Sequence, residues 1–552
     1  MPSVYSRIKM ARDVLSSFNN NNGKKQFHLS RELMNYENAI KKLNTLQTNA
    51  SVLELSRQRG KVSHVELASK VDSTVQYLQK TGIKLENINQ LSIIHVSGTK
   101  GKGTTCALCE SILRHHGYRT GFYSSPHLIH ARERIRINGM PLGFNQFSEY
   151  FEEVYDQIVE KKEHENDMPA YFKFMTVLAF NVFIKEKVDV AIIEVGIGGE
   201  YDCTNFIRNP SVVGITSLGM DHTSILGNNI SEIAWQKAGI MKPGATAFTV
   251  PQKYPGALEV LKERALSRRV IDFIRDGDNV QALNSSLALQ LANEWMRLHS
   301  PFVEKVEEKT MQDLSEAIPT AKAFQVTKKM IDGLKDCSWP GRTQILPREK
   351  LTYFLDGAHT EESIKHCSNW FKKCSKTLLS SDKEDNVKKI LIFNTTGQRD
   401  AEKFLKLLST NNFQYAIFTT NVIYPKPDSN NNNIGSEEAR KVAETNMMLW
   451  KKLVPSNEDN CTVIIKIDTS RNTFKKDFLR IFSVTPTVSD ALNFVNNFAN
   501  ENGFCHVLVT GSLHLIGNTL SILDPELLEP VHNVPKDLKP LQNIYKSLQA
   551  SL

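Results

Sequence analysis

Apolar runs alternate with polar, helix-forming stretches along most of this chain. Leu91–Val96, Thr120–Tyr123, Val188–Val195, Val212–Leu218 and Ala247–Val250 read as buried strands, each followed by helical sequence. That rhythm predicts an α/β fold, a mostly parallel sheet with helices on both faces. Ligands of such sheets sit at the carboxyl ends of the strands. A helix is expected ahead of them over Leu33–Ser56. The rhythm breaks near Cys337–Arg342, where Trp-Pro-Gly interrupts it. A second set follows, Leu351–Leu355, Lys389–Phe393, Tyr415–Thr419, Val463–Ile467 and Cys505–Thr510, and predicts a smaller Rossmann-like domain. Ser380–Lys388 and Pro425–Glu438 are polar and read as surface loops. The expected layout is an extension over 1–35, a first domain over 36–336, a linker over 337–342 and a second domain over 343–552.

Composition narrows the class. The chain has 552 residues, too many for one core, with 40% hydrophobic and 23% charged positions, as in ordinary globular proteins. The net charge of +8, from 68 basic and 60 acidic residues, is a mild excess that suits polyanionic substrates. No basic-aromatic stripe points to nucleic acid. No apolar run reaches the roughly 18 residues of a membrane span. The eight cysteines are scattered, and Cys106 and Cys109 lie on one predicted helix without a second pair to complete a zinc site. They read as buried thiols in a reducing compartment. Residues 1–31 hold Arg7, Lys9, Arg12, Lys24, Lys25 and Arg31 against a single acid, Asp13, with recurring serines. They read either as a mitochondrial transit segment or as a polar extension, with Met10 as a second start.

The densest chemistry lies at Ile93–Thr105. An apolar strand runs into glycines 98, 101 and 103 and then into a helix predicted over Cys106–His116. Converging backbone N–H groups and a helix start make an anion cradle. Gly98, Thr99, Lys100, Gly101, Lys102, Gly103, Thr104 and Thr105 are the candidate nucleotide-binding residues. Lys102 reaches the β/γ-phosphates, and the Thr104 hydroxyl is placed for magnesium. The spacing is G-x-x-G-K-G-T rather than G-x-x-x-x-G-K-[ST]. Ser125 and Glu194 offer further oxygen ligands.

This variant loop resembles that of the folylpolyglutamate synthase and Mur ligase group. Motifs in the same order extend the resemblance to the eukaryotic folylpolyglutamate synthases over roughly residues 36–520. They include Tyr36–Ala50, Ser124–Leu128, Arg132–Gly139, Glu194–Gly199, Asp202–Asn205, Leu218–Gly227, Ala234–Ile240, Trp339–Arg342, Asp356–His359 and Thr510–Leu515. The resemblance implies a two-domain Mur-ligase-like fold and an ATP-dependent ligase that adds L-glutamate to the tail of a reduced folate through an acyl phosphate. Dihydrofolate synthesis, alone or alongside, is the alternative. It further implies two magnesium sites, with K+ or another monovalent cation. Thr104 and Ser125 serve one metal; Glu194, His222 and Lys237, the lysine carried as a carbamate, serve the other. Asn284 and Arg342 are matched to the nucleotide. Its usual Gly-x-His-Gln ahead of the asparagine is here Gly277–Gln281. Ser124, Pro126, His127, Asp202, Thr204 and Asn205 are matched to the folate. Asp356, His359 and Ser512 face ATP and the incoming glutamate, with domain closure expected around Trp339–Arg342. Lys102, Lys237, Asp356 and His359 form the expected catalytic set. Arg132, Arg134 and Arg136 alternate in a strand-like run and meet either the polyglutamate tail or surface acids. The resemblance also implies a monomer in the cytoplasm with a mitochondrial pool.

Overall fold

A computed structural model describes residues 23–47, 64–270, 272–275, 283–299, 318–378, 387–396, 399–424, 434–454, 461–464 and 480–525. Residues 1–22 of the expected transit segment or polar extension, Gly277–Gln281 and most of the two polar insertions lie outside these residues. The chain divides into two compact units between Ser338 and Trp339.

Among the described residues the first unit is built on eight strands. They are β1 (Ile93–Ser97), β2 (Thr120–Tyr123), β3 (Ile135–Ile137), β4 (Met140–Pro141), β5 (Val190–Glu194), β6 (Val212–Ile215), β7 (Thr246–Thr249) and β8 (Asp272–Arg275). Their order is β4-β3-β2-β5-β1-β6-β7-β8. The six strands from β2 to β8 pair in parallel. β1, β2, β5, β6 and β7 are buried at every residue, which is why they read as apolar runs rather than alternating ones. Helix Tyr171–Lys185 is buried over nearly its whole middle and packs in the largest core with helix Phe144–Glu160. The opening helix runs Gly23–Thr45, earlier at both ends than expected. Residues 23–35, assigned above to the extension, belong to it. Tyr36, Ala39 and Leu43 fall at helical spacing and bury against the core, anchoring its second half.

The antiparallel β3–β4 hairpin was not foreseen. Asn138 and Gly139 have φ of 50° and 78°, the conformation that Asn-Gly adopts in a two-residue hairpin turn. The Arg132–Gly139 motif is therefore a short helical turn, Ala131–Arg134, then a strand and a turn. This corrects the strand-like reading of its arginines. Arg132 is buried and donates to Leu142 O at 2.9 Å. Arg136 is buried and donates to Glu133 O at 3.3 Å and Gly139 O at 3.2 Å. Only Arg134 of the three is part-exposed.

The second unit holds β9 (Gln344–Pro347), β10 (Leu351–Asp356), β11 (Lys388–Phe393), β12 (Tyr415–Thr419), β13 (Cys461–Ile464), β14 (Arg480–Thr485) and β15 (Cys505–Thr510), in the order β13-β14-β12-β11-β15-β10-β9. Among the described residues only β9 pairs antiparallel. Helix Ile434–Leu453 begins inside the stretch expected as loop up to Glu438.

Candidate active site

Four loops of the first unit lie at the carboxyl ends of β1, β2, β5 and β6. The helix after β1 begins at Lys102, four residues before the predicted Cys106, so Lys102, Gly103, Thr104 and Thr105 form its first turn. Gly101 precedes it with φ 93°, and a side chain there would meet Asn284 Oδ1 at 2.1 Å. Gly98 has φ 145°, and a Cβ would lie 1.8 Å from Thr216 Oγ1. Both glycines are thus required by backbone conformation and by close neighbours. Asn284 lies against the loop, accepting from Thr105 Oγ1 at 3.4 Å.

The loop is zipped to the segment after β6. Thr99 N donates to Ser217 O at 2.9 Å. Thr99 Oγ1 donates to Gly219 O at 3.1 Å, and Lys100 pairs with Asp221 at 3.1 Å. Burial pushes the Asp221 carboxyl up, but Lys100 and His222 bring it below the usual range. His222 follows in the left-handed conformation, φ 50°, and is exposed.

Two ammonium groups meet at one carbonyl. Lys102 Nζ donates to Gly98 O at 3.1 Å, and Lys237 Nζ donates to the same oxygen at 2.8 Å. Lys237 ends helix Ile230–Lys237 and is buried. Burial first, then the charge of Lys102, lower its pKa to about 7. Ser97 Oγ donates to Lys237 O at 2.8 Å, holding the helix end on β1.

Glu194 ends β5, and its Oε2 accepts from Ser125 N at 3.0 Å. This places Ser125 beside Glu194. Ser124 is buried, Pro126 is exposed after a cis Ser125–Pro126 bond, and His127 Nδ1 accepts from Arg134 Nε at 2.9 Å. Arg134 also lies over the Tyr171 ring at 5.3 Å.

The residues of Asp202–Asn205 are engaged with their own surroundings. Asp202 Oδ2 accepts from Gly196 N and Ile197 N, each at 3.1 Å. Its Oδ1 accepts from Thr204 N at 2.9 Å and Thr204 Oγ1 at 2.6 Å. Asn205 Nδ2 donates to Glu200 O at 2.8 Å, and its Oδ1 accepts from Lys242 Nζ at 2.8 Å. Sequence reading passed over Lys242 and His95. The signal for His95 was a histidine inside an otherwise apolar strand.

The second unit carries its own cluster. Asp356 ends β10; its Oδ2 accepts from Thr343 N at 2.8 Å and its Oδ1 from Ala358 N at 2.9 Å. Burial raises its pKa, and Arg342 opposes the rise. Gly357 N donates to Gly341 O at 3.0 Å, tying this loop to the Trp-Pro-Gly turn. His359 Nδ1 lies 2.7 Å from Gly357 O, so Nδ1 carries the proton. Ser512 follows β15, is buried, and caps helix Leu513–Leu523 by accepting from His514 N at 3.2 Å.

Among the described residues no three His, Cys, Asp or Glu side chains are grouped to hold a metal. Cys106, Cys109, Cys203, Cys337, Cys367, Cys374 and Cys505 are free, and Cys106 and Cys109 are buried. No described helix is long and apolar enough to cross a membrane.

No protein-family model matches the chain. The mitochondrial folylpolyglutamate synthase of Cricetulus griseus is 39% identical over 573 aligned residues, covering 90% of this chain and 92% of that protein. The Mycobacterium tuberculosis folylpolyglutamate synthase complexed with ADP superposes with a TM-score of 0.63 at 18% identity, covering 89% and 99%. The bifunctional folylpolyglutamate synthase/dihydrofolate synthase of Yersinia pestis, complexed with AMPPNP and Mn, gives 0.58 at 21% identity, covering 87% and 98%. Two α/β units, the first with a glycine-rich loop opening a helix, give the fold of these solved synthases, and the sequence relatives are ATP-dependent ligases. The match over nine-tenths of the length makes the assignment specific: the chain belongs to the folylpolyglutamate synthase family.

Proposed function

We propose that this chain joins L-glutamate to the terminal glutamate of a tetrahydrofolate tail, consuming ATP and giving ADP and phosphate. The observation that carries this reading is the cradle at Gly98–Thr105, with Lys102 and Lys237 converging on Gly98 O, in a chain of this family. A carboxylate is a poor electrophile and is first phosphorylated; the amine then attacks the acyl phosphate and phosphate leaves. Positioning and charge neutralisation supply most of such catalysis.

The loop and first helical turn hold the phosphates, and Lys102 neutralises charge on the transferring group. Asn284, beside Gly101, meets the base, and Arg342 and Asp356 are the second unit's candidates for the nucleotide. Ser124, Pro126 and His127 face the folate, with Arg134 steadying His127. His359, its Nδ1 proton held by Gly357 O, presents Nε2 to the incoming glutamate, whose carboxylate Ser512 holds.

The donor set fits magnesium on one condition. Thr104, Ser125 and Glu194 offer oxygens, but an ammonium at Lys237 would repel a cation from the proposed ligand set. Its low pKa leaves free amine near neutrality, the form that takes up carbon dioxide, and the resulting carbamate would join Glu194 and His222 as a ligand. Two bound magnesium ions would neutralise the phosphates as charge moves between them. A monovalent cation would complete the proposed set.

The name of the Cricetulus relative supports a mitochondrial form, and a cytoplasmic pool of monomer accompanies it in this reading. The test is incorporation of labelled glutamate into tetrahydrofolate with stoichiometric ADP. A dihydropteroate arm tests the second reading, which the bifunctional Yersinia neighbour favours. Absence of labelled product with both acceptors overturns the ligase reading.

A further inference from the structure

Ile93, His95 and Ser97 share one face of β1, the strand that leads into the phosphate loop. Ile93 belongs to the large apolar core. Further along, the face turns polar, and each polar side chain binds a different loop of the site. Ser97 holds the Lys237 carbonyl. His95 is fully buried, and its Nε2 lies 2.9 Å from Thr204 Oγ1.

The direction of this bond follows from the next one. Thr204 Oγ1 has a single proton and gives it to Asp202 Oδ1 at 2.6 Å. It must therefore accept from His95, which carries its proton on Nε2. Nδ1 is then a bare lone pair, in agreement with its lack of a hydrogen-bond partner among the described residues. A charged ring would bury a second N–H without an acceptor, and burial accordingly lowers the His95 pKa to about 3.

The chain of bonds ends on the loop after β5. Asp202 Oδ2 accepts both Gly196 N and Ile197 N, the second and third residues after Glu194. Gly196 has no space for a side chain; a Cβ would lie 2.6 Å from the Phe172 ring and 3.1 Å from Asp202 Oδ2. The turn is thus clamped from two sides.

We propose that His95 is a positioning residue: by donating to Thr204 it fixes the Asp202 carboxylate, and through it the Gly196–Ile197 turn that aims Glu194. The functional consequence rests on the reading of Glu194 as a metal ligand; the clamp itself does not.

The test uses the full chain and two substitutions of opposite character. His95→Phe keeps a ring and removes the donor. His95→Gln places an amide N–H near the former Nε2. Hydrogen exchange is read at the Gly196 and Ile197 amides, with β10 and β15 amides as controls. In His95→Phe, exchange at the two loop amides rises at least ~10-fold, and the magnesium concentration for half-maximal ligation rises by ~10-fold, the usual scale for a residue supporting a metal ligand. His95→Gln stays close to the unsubstituted protein in both. Nitrogen chemical shifts of His95 show a neutral Nε2–H ring from pH 5 to 8. A neutral Nδ1–H ring, unchanged loop exchange in His95→Phe, or a Gln variant as impaired as Phe would overturn the proposal. Should His95→Phe not fold, Thr204→Val leaves the ring in place and carries the same expectation, and normal exchange in it is equally fatal. Altered exchange in a protein without ligase activity would sink the proposed function and leave the clamp standing.

Discussion

Lys102 and Lys237 come from distant parts of the chain, yet their ammonium groups share the carbonyl oxygen of Gly98, at 3.1 and 2.8 Å. One is part-exposed at the start of a helix and the other is buried at the end of another. Two like charges on one acceptor are costly unless one is neutral or an anion lies between them. The proposed binding of polyphosphate and the proposed modification of the buried lysine would each relieve this repulsion.

Lys102→Ala is expected to cut glutamate incorporation by at least a hundredfold. Losing one group that stabilises developing charge costs about 3 kcal/mol. The melting temperature should stay close to that of the unsubstituted protein, since the part-exposed lysine fills no core space. Near-normal turnover in the folded variant would refute the phosphate-cradle role.

Lys237 is expected to carry a carbamate in active protein. A lysine whose pKa falls from 10.5 to about 7 is largely free amine above neutral pH. Carbon dioxide uptake should thus rise with pH through about 7 and fall away below it, where the ammonium form dominates. Carbon-13 NMR after labelling with carbon-13 bicarbonate reads this directly. Lys237→Ala should be almost inactive, with partial recovery in short-chain carboxylate buffers. An active enzyme showing no carbamate resonance would refute it.

Gly101→Ala should weaken ATP binding and destabilise the fold by roughly 1–3 kcal/mol. The new Cβ would displace Asn284, and φ of 93° is strained for alanine. Thermal melts and the KM for ATP check this together; an unchanged KM in a folded variant would remove Asn284 and Gly101 from the nucleotide site.

Ser512→Ala should raise the KM for glutamate far more than that for ATP or folate. It also removes a helix cap, costing about 1 kcal/mol of stability. His359→Ala should lower ligation and uncouple ATP hydrolysis from it. A rise confined to the KM for ATP in both variants would end the assignment of the glutamate site to these residues.

Much of this architecture is legible without coordinates. Strands buried on both faces announce themselves as apolar runs, and Thr120–Tyr123, Tyr415–Thr419 and Cys505–Thr510 have the bounds expected. Short strands toward the end of the sheet do not: β3 holds an arginine and β4 has two residues, so neither makes a run. The helix start at Lys102 was hidden because Gly103 and two threonines are poor helix formers, overruled by packing of the helix that follows. The motif positions were visible, but their partners were not. Nothing in the spacing of Asp202, Thr204 and Asn205 tells that their polar groups are occupied by Gly196, Ile197, His95 and Lys242.

The bonds of Thr99 and Lys100 to Ser217, Gly219 and Asp221 have an entropic consequence. A glycine-rich loop left to itself samples many shapes, and a ligand must freeze it at a cost in affinity. Here the freezing accompanies folding. A nucleotide bound as proposed would meet a loop already tied down, and its arrival should need little rearrangement there.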